Sequence, residues 1–185
     1  DLSVNYERYG DVMQAAGDLQ TARKCYQIME RIAEQLVEEA STAENCGRLA
    51  TAYERLGNLC QIKKDFAGAR QYYQHSLNLY EILAKAYPTA ENCRAAAVIS
   101  ERLGDVCQEE GDLQAAQQCY QKSLRTYEKQ AKESPTPENC RAPSLIYERL
   151  GDICQLEKDL PQAWAYYLQS LQIRKQLARQ TGTPD

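Results

Sequence analysis

The sequence predicts an all-α fold, a solenoid of four antiparallel helix pairs. Three observations lead there. The segment "ERYGD" at 7 returns as "ERLGN" at 54 and as "ERLGD" at 101 and 148, always 47 residues on. A fixed period of this size marks one structural unit built several times. Other residue types recur in the same register: Gly10, Gly57, Gly104 and Gly151; Ala22, Ala69, Ala116 and Ala163; Tyr26, Tyr73, Tyr120 and Tyr167; Asp18, Asp65, Asp112 and Asp159; Thr42, Thr89, Thr136 and Thr183. Within a unit, apolar residues are spaced by three and four, as on one face of a helix.

The third unit illustrates the elements in order. Ile99, Leu103, Val106 and Cys107 lie on one stripe of a first helix. The tetrapeptide "EEGD" breaks it. Gly111 can take the positive φ of a helix end, and Asp112 suits the N-cap of a second helix. Leu113, Ala116, Tyr120, Leu124 and Tyr127 mark that helix. In "ESPTPENC", Thr136 is the next N-cap, Pro137 fits the first helical position, and Glu138 sits at the positive end of the helix dipole. Thr42 with Glu44, and Thr89 with Glu91, repeat the device. Pro143 falls inside the first helix of the fourth unit and predicts a kink or a late start. The units run over about 1–41, 42–88, 89–135 and 136–182, with 183–185 opening a further one.

The recurring small residues have a packing role. A glycine on one helix and an alanine on its partner let two backbones approach, and the tyrosine fills the gap beside them. Each pair has apolar residues on more than one side, so neighbours must stack to complete the core. Both ends of the sequence fall mid-unit, which reads as a piece of a longer array. Trp164, Tyr167, Leu171 and Leu177 of the last helix have no following unit to pack on, and end-to-end self-stacking is one expected consequence.

The segment "LGDVCQEEGDLQAAQQCYQKSL" resembles the tetratricopeptide repeat, at Leu103, Gly104, Gly111, Ala116, Tyr120 and Leu124. The usual unit of that family has about 34 residues. The longer unit here resembles tandem repeats of bacterial proteins and is similar in length to the kinesin light chain type, though without its His-Pro signature. Its extra length is expected in longer helices, since Tyr80, Leu83 and Ala84 continue the apolar pattern of the second helix. The family's early aromatic is Tyr6, Tyr53 and Tyr147, but Ser100 in the third unit. The resemblance implies a right-handed superhelix whose first helices line a concave groove.

Composition and chemistry limit the function. The 185 residues are 26% charged and 43% hydrophobic, with a net charge of −4. That balance gives no basic face for nucleic acid, and no apolar run approaches a membrane span. The eight cysteines include no CxxC pair. Cys93 and Cys107 lie 14 residues apart on one helix, and Cys positions in adjacent units are too distant for a disulfide. They read as small buried hydrophobes of a reducing, cytoplasmic compartment. A single histidine, His75, completes no typical zinc set. No phosphate-binding glycine loop, GxSxG or HExxH is present. Repeated equivalent acids lack the distinct environments that catalytic carboxylates need. The expectation is therefore no enzyme, no cofactor and no metal.

The resemblance places three positions per unit in the groove: Glu7, Glu54, Glu101 and Glu148; Asp11, Asn58, Asp105 and Asp152; Gln14, Gln61, Gln108 and Gln155. They would form an acidic stripe edged by amides. The family's lysine-based carboxylate clamp is absent, since glutamate stands where it needs lysine. The expected role is a non-catalytic interaction scaffold for another protein or peptide, with a Lys- or Arg-bearing segment in the groove. A ligand-sensing module controlling an effector domain elsewhere is the alternative. Arg8, Arg55, Arg102 and Arg149 come directly after the glutamates and can instead pair with acids of the neighbouring unit.

Overall fold

The computed structural model describes residues 2–181, all helices and short turns. The helices are α1 (Leu2–Ala15), α2 (Leu19–Glu39), α3 (Ala43–Ile62), α4 (Phe66–Ala86), α5 (Ala90–Glu109), α6 (Leu113–Glu133), α7 (Pro137–Leu156) and α8 (Leu160–Thr181). The further unit expected to start at Thr183 lies outside the described residues. Two compact units form, one ending at Ile99 and the other starting at Ser100, so the boundary falls inside α5.

The turn inside each pair is read directly from its residues. Gly17 and Gly111 take φ of +83°. The Gly17 and Asp18 amides bond back to the carbonyls of Gln14 and Met13, closing the end of α1. Such crossed bonds satisfy orphan carbonyls when the residue after the helix is left-handed. Asp18 then caps α2 by accepting from Thr21 N at 3.0 Å. Asp65, Asp112 and Asp159 accept likewise from Gly68, Ala115 and Gln162. One aspartate thus ends one helix and begins the next, which keeps the turn to three residues. In the second and fourth units the left-handed residue is Lys64 (φ 58°) or Lys158 (φ 64°).

Between pairs, Thr42, Thr89 and Thr136 accept from Asn45, Asn92 and Asn139 N–H groups. The same asparagines turn back. Asn45 Nδ2 donates to the Leu36 and Ala40 carbonyls at 2.9 and 2.8 Å. Asn92 and Asn139 reach Tyr87 and Ser134 in the same way. Helix α7 begins at Pro137 and runs through Pro143. The late start that Pro143 allowed does not occur, because Thr136 and Pro137 already set the helix end. First and second helices of the internal units have 20 and 21 residues, so the long unit is accommodated in both.

Tyr26, Tyr73 and Tyr120 are fully buried, each ring lying over the glycine of its own unit. A Cβ built on Gly57 would stand 2.7 Å from Tyr73 Cε1, and one on Gly104 2.7 Å from Tyr120 Cε1. Around them, Ala22, Tyr26, Leu56 and Leu59 form one core cluster, with Met13, Leu19 and Tyr72 against it. Pairs one and two therefore share a core within the first unit. The tight contact at Gly57 makes Gly57→Ala costly: urea unfolding should show a loss of about 1–3 kcal/mol, the usual range for overpacking. Lys64→Gly should act oppositely. It relieves a left-handed non-glycine residue at the cost of added unfolded-state freedom. Its unfolding midpoint should rise, by the equivalent of up to about 1 kcal/mol.

Candidate partner-binding face

Two of the three groove positions in each pair turn out to hold the neighbouring tyrosine. Tyr26 Oη donates to Asp11 Oδ1 at 2.6 Å and lies 3.2 Å from Gln14 Oε1. Tyr73 does the same with Asn58 and Gln61 at 2.7 and 2.9 Å. Tyr120 pairs with Asp105 and Gln108, and Tyr167 with Asp152 and Gln155. A buried hydroxyl without a partner would be costly, so these side chains are part of the helix pair. Burial, then the Asp105 carboxylate, pushes the Tyr120 hydroxyl well above its ordinary pKa. The same causes, with Asp152, push Tyr167 up to about 12. The constant spacing of 15 residues between acid and tyrosine was the available sequence signal.

The glutamates are held differently from one pair to the next. Glu7 accepts from Arg55 at 3.0 Å, and Arg55 also reaches Asp11 at 3.3 Å. Arg149 reaches Asp105 at 3.5 Å. Arginine therefore does tie an acid of the preceding pair in both units. Glu148 accepts from Arg174 at 2.6 Å and Ser170 at 3.2 Å. Glu101 accepts the Tyr127 hydroxyl at 3.1 Å. Burial drives its carboxyl above the ordinary range, and neighbouring Asp105 adds to this; Tyr127, Arg149 and Arg102 only partly oppose it. Glu54 is half-buried.

A cavity of about 300 Å³ opens in the first unit beside this face. Glu7, Glu44, Arg48, Thr51, Tyr80 and Glu91 line it. Glu44 pairs with Arg48, and the Thr51 and Tyr80 hydroxyls lie 3.0 Å apart. Gly47 keeps its wall open, with only Leu83 Cδ1, at 4.0 Å, near a Cβ placed there. The corresponding residues of the next two pairs are Arg94 and Arg141. Sequence reasoning assigned Glu44 and Glu91 to their helix dipoles and missed this convergence. In the second unit a cleft of about 340 Å³ has an apolar floor that includes Pro143, Ile173 and Leu177.

The remaining singled-out residues are placed simply. His75 is exposed and meets the Tyr53 ring edge-on at 5.2 Å. Tyr53 and Tyr147 donate to Glu34 and Glu128 of the preceding pair. Ser100, which lacks the aromatic, donates to the Cys119 carbonyl. Cys25, Cys107 and Cys154 are buried and the other thiols half-buried. Among the described residues no three His, Cys, Asp or Glu side chains could share a metal, and no helix is long and apolar enough to cross a membrane.

Residues 48–129 match the family model of the tetratricopeptide repeat. That segment is tetratricopeptide repeat sequence. Tetratricopeptide repeats generally mediate protein–protein interactions and typically belong to non-enzymatic scaffolds. Among solved structures, the chain is similar to BtubC (BKLC) from P. vanneervenii, with a TM-score of 0.77 and 18% identity. The match covers 95% of this chain but 64% of that one, so the chain spans less than two thirds of that protein. MamA matches with a TM-score of 0.53 and 16% identity over 92% of this chain and 96% of its own. A designed helical repeat protein, DHR64, matches at 0.50 and 16% over 96% and 92%. At these identities the likeness is one of fold. No curated protein matches the sequence.

The environment of Glu101 gives a signed prediction. A carboxyl raised in the folded state contributes stability below its unfolded pKa and loses it as pH rises through the folded one. Glu101→Gln keeps an acceptor for Tyr127 and removes the desolvated charge. The variant should melt higher than the parent at neutral pH, and the difference should shrink as pH falls through the raised folded-state pKa and vanish below the ordinary carboxylate value, about 4.3.

Proposed function

We propose that this chain is a non-catalytic interaction module whose first-helix face receives a protein segment bearing Lys or Arg. The acidic cavity carries the reading: Glu7, Glu44 and Glu91 line a space left open by Gly47, and Arg48 is a cation among the lining residues alongside them. A lysine or arginine head entering it would meet half-buried Glu7 together with the exposed carboxylates of Glu44 and Glu91, and could form charge-assisted bonds with them. Glu101 supports the same reading in the second unit, since a nearby cation would relieve its raised carboxyl. The outer edges of Glu54 and Glu148 would extend the stripe. The Asp, Asn and Gln positions would contribute through the lone pairs their tyrosines leave free.

An array of random-sequence peptides tests this. Bound peptides should be enriched in Lys and Arg, and binding should weaken with salt as charges are screened over about 10 Å at 0.1 M. The Glu7→Gln, Glu44→Gln, Glu91→Gln triple variant should lose at least about tenfold in affinity, roughly 1.4 kcal/mol, while its melting curve shows it folded. Equal binding of acidic peptides, or a folded triple variant that binds unchanged, would overturn the proposal.

A further inference from the structure

We propose that a second cation site lies where α2, α3 and α4 meet, built from Glu30, Glu34, Tyr53, Tyr72 and His75, and that it takes an arginine side chain of a partner protein. Every member belongs to an internal helix. The Tyr53 and Tyr72 rings stand 6.3 Å apart at 35°, and the His75 ring meets Tyr53 at 5.2 Å. Tyr53 Oη donates to Glu34 at 3.4 Å. Glu30 precedes Glu34 by four residues on α2, so the two carboxylates share one face. The site is separate from the acidic cavity. Tyr53 follows the cavity-lining Thr51 by two residues, which puts it about 200° further round α3.

Glu30 is the member that packing does not explain. Its register positions in the next two pairs are Leu77 and Leu124, both buried. The second unit builds the same tyrosine device without it. Tyr147 and Tyr166 lie 6.1 Å apart at 35° and Tyr147 donates to Glu128, yet Leu124 replaces Glu30 and Gln169 replaces His75. Glu30 is half-buried and makes no hydrogen bond or ion pair among the described residues. Burial, then Glu34, raises its carboxyl, and Arg31 only partly opposes this. Burial, then Glu34 and Glu30, pushes Tyr53 up to about 12. Burial and then Glu30 raise Tyr72 too, with Arg23 in partial opposition. A carboxylate withdrawn from water without a partner is unfavourable, so an arriving cation gains there. The rings select its kind. A guanidinium is flat and weakly hydrated, and it stacks on an aromatic face while its N–H fork reaches a carboxylate. A lysine ammonium is a strongly hydrated point charge with no plane to stack.

An NMR titration with N-acetyl-arginine amide tests the assignment, read at the assigned ring protons of Tyr53, Tyr72 and His75. These resonances should shift in a saturable way. N-acetyl-lysine amide and tetramethylammonium should each bind at least about fivefold more weakly. Glu30→Leu installs the residue that the next two pairs carry, so it should fold and melt no lower than the parent. It should nevertheless lose at least tenfold in affinity for the arginine probe. The Glu7→Gln, Glu44→Gln, Glu91→Gln variant should keep the ring shifts, which separates this site from the acidic cavity. Should Glu30→Leu fail to fold by circular dichroism, Glu30→Gln takes its place with the same expected loss. Ring resonances that stay still, equal or tighter binding of lysine or tetramethylammonium, a folded Glu30 variant that binds unchanged, or shifts that vanish in the cavity variant would overturn the proposal.

Discussion

The fold depends on the meeting of one tyrosine with one glycine in every helix pair. The ring lies so close to the glycine that even a methyl group would collide with it, at 2.5–2.9 Å from the nearer ring atoms. Aromatic rings bury roughly 150–250 Å² each, so a full Tyr side chain in this position is a large share of the apolar contact of a pair. Its hydroxyl would be a liability at that depth. The Asp or Asn one residue beyond the glycine and the Gln three further on both accept it. Close backbone approach, ring packing and hydroxyl satisfaction are one device, and changing any member strands the other two.

That device explains why the candidate binding face is less free than its composition implies. Asp11, Asp105 and Asp152 each direct an oxygen at a tyrosine. Arg55 and Arg149 draw on the same acids from the next pair. The charge of the stripe is thus partly used in holding pairs together, and the remainder differs from pair to pair. Glu101 retains a desolvated carboxyl, Glu148 is matched by Arg174, and the Glu7 region opens into an acidic cavity because Gly47 stands where later pairs have arginine. Equivalent positions in a repeat need not be equivalent in chemistry.

The repeats also alternate. The second and fourth pairs carry a lysine in the left-handed turn position and a tilted tyrosine pair, Tyr53 with Tyr72 and Tyr147 with Tyr166. The first and third carry glycine in the turn and a cysteine, Cys25 or Cys119, in place of the second tyrosine. Where the first tyrosine is missing, Ser100 turns to the Cys119 carbonyl instead. The packing of the first helix onto its partner therefore has two solutions, one aromatic and one small.

Much of this was determined by the sequence alone. The 47-residue period, the Asp and Thr caps, the glycine turns and the glycine–tyrosine packing are local or come from register, and local chemistry is legible along a chain. Pro143 shows the limit: its missing N–H predicts disruption, yet the strong cap at Thr136 and Pro137 starts the helix on time. Tertiary structure alone decided which acids are spent on tyrosines, which arginine reaches which carboxylate, and that Glu7, Glu44 and Glu91 from three different helices face one cavity. Those outcomes depend on distances between chain segments a full repeat apart, and on a side chain as small as that of Gly47. Spacing along one chain carries no record of either.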